Sequence, residues 1–328
     1  MEQPLVCIIT PVYNGEEFIR EAIESVLAQT YKSWDYVIFN NCSTDRALEI
    51  ADSYAAIDSR IRVVNSERFL DIYDSLNASM RQISAGCKYC KPLHADDMLF
   101  PDCITQMVRL AEENPTAGVV GAYAIRRLNI VWDGCISFTE QLVPGHRICR
   151  DMFMGKPYVF GSPSSTMLRA DLVLKRQDFY NAANPNPDVE ACLDLLTESD
   201  FGFVHQVLTL TRLHGESQTT RSFRTGSSVF GRLVALQKYG PTYLTKEEYK
   251  TCMDDWLLYY LQTYLKFLVK GKLKAFREYH KDQFEKIGFR IKKAEALRVI
   301  GKGILNLRIK ITHRGILIFT RITVDGDR

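Results

Sequence analysis

The sequence predicts an α/β protein: a doubly wound, mostly parallel sheet with flanking helices, followed by a helical and basic C-terminal module. Three observations carry this. Between residues 5 and 124, short apolar runs alternate with stretches of helical period, which demands crossovers between parallel strands. Three of the runs end in polar loops, PVYNG, NNCSTD and HADD, that would line one edge of such a sheet. Charge is divided unevenly: residues 270–321 hold 15 Lys and Arg against 4 Asp and Glu, a balance of +11, while the remainder holds 27 against 35, a balance of −8. The expected division is an α/β unit over residues 1–222 and a helical module over 223–328.

Residues 5–10, LVCIIT, form an apolar run rich in β-branched side chains, as a strand buried on both faces requires. After PVYNG, the stretch EEFIREAIESVLAQTY sets Phe18, Ile19, Ala22, Ile23, Val26 and Leu27 at helical spacing, with Asn14 as the expected N-cap. Residues 34–39 are the second strand, and Asp45 starts a helix through Ala47, Leu48, Ile50 and Ala51. Residues 61–64, IRVV, are the third strand. Residues 70–85 are helical, with Leu70, Tyr73, Leu76, Asn77 and Met80 on one face. Residues 88–94 form the fourth strand, Pro101 opens a helix carrying Ile104, Met107, Val108 and Ala111, and residues 118–124 are the fifth strand. Further on, FGSPSSTMLR at 160–169 reads as a strand entered through a Gly/Ser/Pro loop, and FVHQVLTLTRL at 203–213 as another.

The 328 residues suffice for one large or two ordinary domains, and 46% hydrophobic and 25% charged residues with 11 Pro describe a globular chain. No repeat or low-complexity tract is present. The N-terminus MEQPLVCIITP lacks a basic leader and reads as a buried strand, and no uninterrupted apolar stretch reaches the ~18 residues of a membrane span. Nine scattered cysteines point to reduced thiols and a cytoplasmic location. Cys87 and Cys90 form one CxxC. It is either half of a zinc or redox site or two small residues near a turn, and the lack of a second CxxC or CxxH favours the latter.

Ligands of doubly wound sheets bind beyond the carboxyl ends of the strands, which directs attention to the three polar loops. No GxGxxG follows the first strand and no GxxxxGK[ST] occurs, which disfavours dinucleotide dehydrogenases and P-loop enzymes. In LHADDMLFPD, two adjacent carboxylates, Asp96 and Asp97, stand at a strand end. Such a pair suits Mg2+ or Mn2+, which takes one or two protein oxygens and leaves the rest to phosphate and water. The plainer alternative is two solvated acids, one capping the next helix.

In this order and at these distances, PVYNGEEFIREAIESVLAQTY, NNCSTD and LHADDMLFPD resemble glycosyltransferase family 2 over roughly residues 4–220. The resemblance implies a GT-A fold and an inverting transfer of sugar from a nucleoside-diphosphate sugar to an acceptor hydroxyl of a glycan, polysaccharide or lipid-linked molecule. It implies that Pro11 and Tyr13 border the nucleotide base. Asn40 and Asn41 stand where the family commonly has two aspartates, so base identity is left open. Asp96 matches a contact to ribose or a metal-bound water, and Asp97 the direct metal ligand. Asp188, in NPNPDVEACLDLL, matches the base that deprotonates the acceptor, with Glu190 two residues on; by itself Asp188 reads as a helix N-cap after Pro187. His214, in RLHGESQ, matches a histidine that approaches the metal or the diphosphate. Arg212 or Arg221 could clamp phosphate, or be surface cations. His94 receives no chemical role. The alternatives are a metal-dependent nucleotidyltransferase, for which PVYNG lacks a cation, and a non-catalytic sugar-nucleotide-binding protein.

In the C-terminal module, residues 246–269 put Trp256, Leu257, Tyr260, Leu261, Tyr264, Leu265 and Leu268 on one face, and residues 273–287 are a polar, basic helix. The following KAEALRVIGKGILNLRIKITHRGILIFTRI mixes Leu and Ile with Lys and Arg. It is either an interfacial element meeting anionic lipid at the inner face of the membrane or a helical hairpin packed on the catalytic unit or a second subunit. No nucleic-acid module is recognisable.

Overall fold

The computed structural model describes residues 3–126, 129–131, 135–214, 222 and 224–301. In chain order the elements are β1 (Val6–Val12), α1 (Ile19–Leu27), β2 (Trp34–Asn40), α2 (Ala47–Ala55), β3 (Ile61–Asn65), α3 (Ile72–Met80), β4 (Tyr89–Pro92), β5 (Met98–Leu99), α4 (Cys103–Glu113), β6 (Ala117–Arg126), β7 (Asn129–Val131), β8 (Leu142–Val143), α5 (Gly145–Phe153), β9 (Thr166–Arg169), α6 (Ala170–Leu174), α7 (Pro187–Leu195), β10 (Asp200–Thr211), α8 (Ser227–Tyr243), α9 (Lys246–Val269) and α10 (Leu273–Lys286).

The strands form one sheet in the order β3-β2-β1-β4-β9-β6-β10-β5, with β7 on β6 and β8 on β10. β1 is parallel to β2 and β4, β2 to β3, and β6 to β10, whereas β9 runs antiparallel between β4 and β6. The expected mostly parallel, doubly wound sheet is therefore present, with one reversed strand in its middle. Alternation along β1 divides the core: Val6 and Ile8 join Trp34, Tyr36, Ile104 and Met107 on one face, while Cys7 and Ile9 join Val37, Leu168, Phe201 and Phe203 on the other. Each such buried aliphatic chain contributes roughly 1.5–3 kcal/mol over leaving it exposed.

Two expected helix starts are displaced. Asn14 does not cap α1; its φ is +51°, and its Oδ1 accepts the Thr44 N–H at 2.7 Å. The helix entry is made instead by the Gly15 carbonyl, which accepts from Phe18 and Ile19, because the Asn14 amide already bridges to the next loop. Pro101 lies in the turn before α4, which begins at Cys103.

The helices α8 to α10 build a third core from Phe230, Leu233, Trp256, Leu257, Tyr260 and Phe276. α9 opens with a capping box between Thr245 and Glu248, and Glu248 also pairs with Arg150 of α5. Tyr239 and Tyr243 of α8 enter the sheet core and tie the module to it. The expected apolar face of α9 is buried only in part: Trp256, Leu257 and Tyr260 are covered, while Leu265 and Leu268 are about half exposed, at 55% and 50%. No helix among the described residues is long and apolar enough to cross a membrane. Arg221 and the apolar-basic stretch after residue 301 lie outside the described residues.

Candidate active site

Parallel register brings the loops after β1 and β2 level: Val12 pairs with Asn40, and Asn40 with Asn65 of β3. The loops are then stitched together. Asn14 N–H donates to Ser43 Oγ at 3.1 Å, Glu16 N–H to Asp45 Oδ2 at 2.8 Å, and Arg46 N–H to Glu16 Oε2 at 3.0 Å. Asn40 and Asn41 are buried, and both amides are engaged. Asn40 donates to Asn65 Oδ1 at 2.8 Å and accepts from Ser43 N–H. Asn41 donates to Leu70 O at 3.0 Å and accepts from Leu70 N–H at 2.9 Å. This clamp on Leu70 fixes its neighbour Phe69, whose ring meets Tyr13 edge-on with centroids 4.8 Å apart; both rings are largely exposed. Pro11 is half-buried below them on β1, opposite Phe39. Phe69 was missed in the sequence because a lone aromatic in a polar loop carries no periodicity.

The acidic pair is placed by a strand reversal. β5 pairs antiparallel with the end of β10, Met98 opposite Leu210, and this sets Arg212 against Asp97. Arg212 N–H donates to Asp97 Oδ1 at 3.0 Å, and Arg212 Nη1 to the Asp96 carbonyl at 3.2 Å. The same guanidinium pairs with Glu21 and lies over the Phe18 ring at 5.1 Å. Arg212 therefore braces the acidic loop, and its fork is committed to protein groups. His214 Nε2 lies 3.0 Å from Asp96 Oδ2. Ring or carboxylate atoms of His94, Asp96 and Asp97 lie within 4.8 Å of one another.

Asp97 is 1% exposed. Burial pushes its carboxyl up to about 6; His94 opposes this, Asp96 adds to it, and the Ser164 hydroxyl and the Arg212 N–H pull it back. Its Oδ2 is buried without a hydrogen-bond partner among the described residues. A buried carboxylate oxygen with no donor is costly unless a cation meets it, so these residues fit a hard divalent ion. Beneath them, the fully buried Lys91 donates to the carbonyls of Ser164 and Pro92, and Ser164 Oγ accepts the His94 N–H at 3.0 Å. Burial holds the Lys91 ammonium below its usual range. The only trace of this residue in the sequence is a lysine inside an otherwise apolar strand.

Asp188 is not the cap of α7. Asn186 occupies that position, Pro187 follows, and Asp188 is in the first turn, half-buried in a narrow cleft lined by Phe160, Gly161, Phe179, Tyr180 and Cys192. Burial pushes its carboxyl upward, while the Val189 N–H, the nearby His94 and its own N–H hold it back. Its charge in turn reaches the phenols of the half-buried Tyr73 and Tyr158 and the buried Tyr180, raised first by desolvation. Glu190 turns the other way. It is 3% exposed and accepts from Asn181, Asn184 and Lys238 of α8, the last at 2.7 Å.

Cys87 has Cys7 and Asp35 as neighbours, with ligand atoms within 4.8 Å of one another, at the amino ends of the strands. Cys90 lies beside Cys7 on β4, and none of the nine cysteines is in a disulfide.

Residues 7–173 match the family described as Glycosyl transferase family 2. A Haemophilus influenzae protein named as an uncharacterised glycosyltransferase is 33% identical over 37% of this chain and 36% of its own length, so the match spans about a third of that relative. EpsE of Bacillus subtilis, named as a glycosyltransferase, is 27% identical over 67% of this chain and 77% of EpsE. The solved structure of the mannosyltransferase PcManGT from Pyrobaculum calidifontis, in complex with GDP-Man and Mn2+, superimposes with a TM-score of 0.55 at 14% identity, covering 95% of this chain and 84% of PcManGT. At that identity the likeness speaks for the fold, which is the expected GT-A architecture. With the sheet, the acidic loop at the end of β4 and a match over half of its length, the chain belongs to glycosyltransferase family 2.

Proposed function

We propose that the chain transfers a sugar from a nucleoside-diphosphate sugar to an acceptor hydroxyl, inverting the anomeric carbon. The observation that carries this is the acidic loop at the end of β4, where Asp97 is buried with its Oδ2 unpartnered among the described residues and lies in one cluster with His94 and Asp96. The base candidate, Asp188, lines a separate small cleft beside Phe160, Gly161 and Tyr180. Their environments differ as two roles require, since Asp97 is fully buried and Asp188 opens to a cleft.

In this reading Tyr13 and Phe69 border the base over Pro11. Asn40 and Asn41 act by holding the loops that carry these rings. Asp96, held by His214, meets the ribose or a metal-bound water, and Asp97 serves the cation, with His214 acting on the site through Asp96. When bound, Mg2+ or Mn2+ neutralises charge on the diphosphate leaving group. Asp188 takes the proton of the acceptor hydroxyl, whose oxygen forms the new bond to the anomeric carbon as the bond to the diphosphate breaks on the opposite face. A carboxyl raised by burial is a better base near neutral pH than a solvated one.

We further assign residues 1–222 to catalysis and 223–328 to a module that covers α5 and α7. A glycan, polysaccharide or lipid-linked acceptor at the cytoplasmic face of the membrane, reached through the basic C-terminus or through a homo-oligomer, is the partner this arrangement favours. The test is a screen of UDP-, GDP- and dTDP-sugars for hydrolysis with and without Mn2+. Metal-dependent turnover of one of them supports the reading, and the lack of metal-dependent turnover with all of them refutes it.

A further inference from the structure

We propose that His94 is a nitrogen ligand of the divalent cation, so that the site grips its ion through an imidazole and a carboxylate and favours Mn2+ over Mg2+. This rests on the reading above that the cation sits at the acidic loop.

The geometry has three parts. First, one ligand atom each of His94, Asp96 and Asp97 falls within 4.8 Å of the others. Two ligands each about 2.1–2.2 Å from one ion are at most about 4.4 Å apart, so atoms that already lie within 4.8 Å of one another need little side-chain rotation to converge. Second, the ligands are uncommitted where they must be. Asp97 Oδ2 is buried and unpartnered, and the His94 ring makes no hydrogen bond among the described residues. Third, the backbone of His94 is held. Its N–H is bound by Ser164 Oγ, and the Ser164 carbonyl is gripped by the buried Lys91 ammonium. A ligand on a braced strand end is worth more than one on a free loop, because little order is lost on binding.

The two histidines then divide the work. His214 already engages Asp96 Oδ2 at 3.0 Å and orients that carboxylate from outside, whereas His94 approaches from the strand side with both ring nitrogens open. Imidazole is a poor partner for Mg2+, which prefers oxygen throughout, and a good one for borderline transition ions. The donor set therefore carries a metal preference that an all-carboxylate loop would lack.

The experiment uses Mn2+ with UDP or GDP as probes on the full chain, prepared with 14N- or 15N-histidine. Pulsed electron paramagnetic resonance reads nitrogen directly bound to Mn2+, and competition with Mg2+ gives the preference. The expected result is a histidine nitrogen coupling in the wild type and in His214→Gln. It should be lost in His94→Gln, with the Mn2+ preference over Mg2+ falling about tenfold. His94→Asp should restore ion binding while keeping the lowered Mn2+ preference. A coupling that survives His94→Gln and vanishes in His214→Gln overturns the assignment, as does Mn2+ bound without any nitrogen coupling while Asp97→Asn abolishes it. If Mn2+ does not bind, or binds Asp97→Asn equally well, the acidic loop is not the cation site and the underlying reading fails instead.

Discussion

Arg212 and Asp97 are joined by a backbone hydrogen bond of 3.0 Å although 115 residues separate them. Because the bond uses the main chain, the Arg212 side chain is free to brace the same loop from the other side, through Glu21, the Asp96 carbonyl and the Phe18 ring. Replacing Arg212 by Ala keeps the bond to Asp97 and removes the brace. The expected cost is about 1–2 kcal/mol of stability, with weaker Mn2+-dependent nucleotide binding. Arg212→Lys should recover little, since an ammonium cannot reproduce the guanidinium fork. Urea unfolding and calorimetry check this; full activity in the Lys variant would mean the residue acts only as a charge.

Asn41 clamps Leu70 with a donor and an acceptor at once, and Asn77 clamps Tyr180 in the same way, with both bonds at 2.8 Å. A carboxylate can accept but cannot donate. Asn41→Asp, which installs the residue type common in the family, is therefore expected to lose about 1–3 kcal/mol and to weaken nucleotide binding by releasing Phe69 from Tyr13. Tighter UDP binding with unchanged stability in that variant would show instead that position 41 reads the base directly.

Asp188 and Glu190 sit on one helix two residues apart, roughly 200° around its axis, and so face opposite ways. Asp188→Asn should lower kcat by about 100- to 10,000-fold and leave the unfolding midpoint unchanged or raised, since it removes a carboxylate that burial disfavours. Glu190→Ala should do the reverse: about 2–4 kcal/mol of stability is lost, because Lys238, Asn181 and Asn184 lose their acceptor, and kcat falls only as far as α7 loosens. Equal kinetic and stability losses in both variants would remove the distinction between base and tether.

Much of this was legible in the sequence where interactions are local. The alternation from β1 through α4 follows from side-chain period, and the position of Asp96 and Asp97 at a strand end follows from it. What stayed hidden depends on contacts far apart in the chain. Nothing local places β9 antiparallel between β4 and β6, or turns Arg212 from a phosphate clamp into a brace. Asn40 and Asn41 look like altered base readers until Asn65 and Leu70 arrive from another loop. The sequence names Asp188 as the base candidate but gives Glu190 no role, which appears only when α8 supplies Lys238 as its partner.

The C-terminal module carries a titration of its own. His280 is 1% exposed, stacked on Phe276 with centroids 3.9 Å apart and ringed by Phe230, Tyr260, Tyr279 and Phe284. Burial pushes it down to about 4, with the carbonyls of Thr225 and Gly226 drawing the proton back. A histidine whose pKa is depressed by folding stabilises the fold fully above its unfolded value near 6.5, and that stability drains away as pH falls from there towards 4. The full span corresponds to something on the order of 3 kcal/mol. His280→Phe keeps the aromatic packing and removes the proton, so its melting temperature should fall less between pH 7 and pH 4.5 than that of the wild type, with the two curves converging at neutral pH. Parallel curves over that range would mean that His280 is already solvated or paired in solution, and that the third core is looser around it than its packing implies.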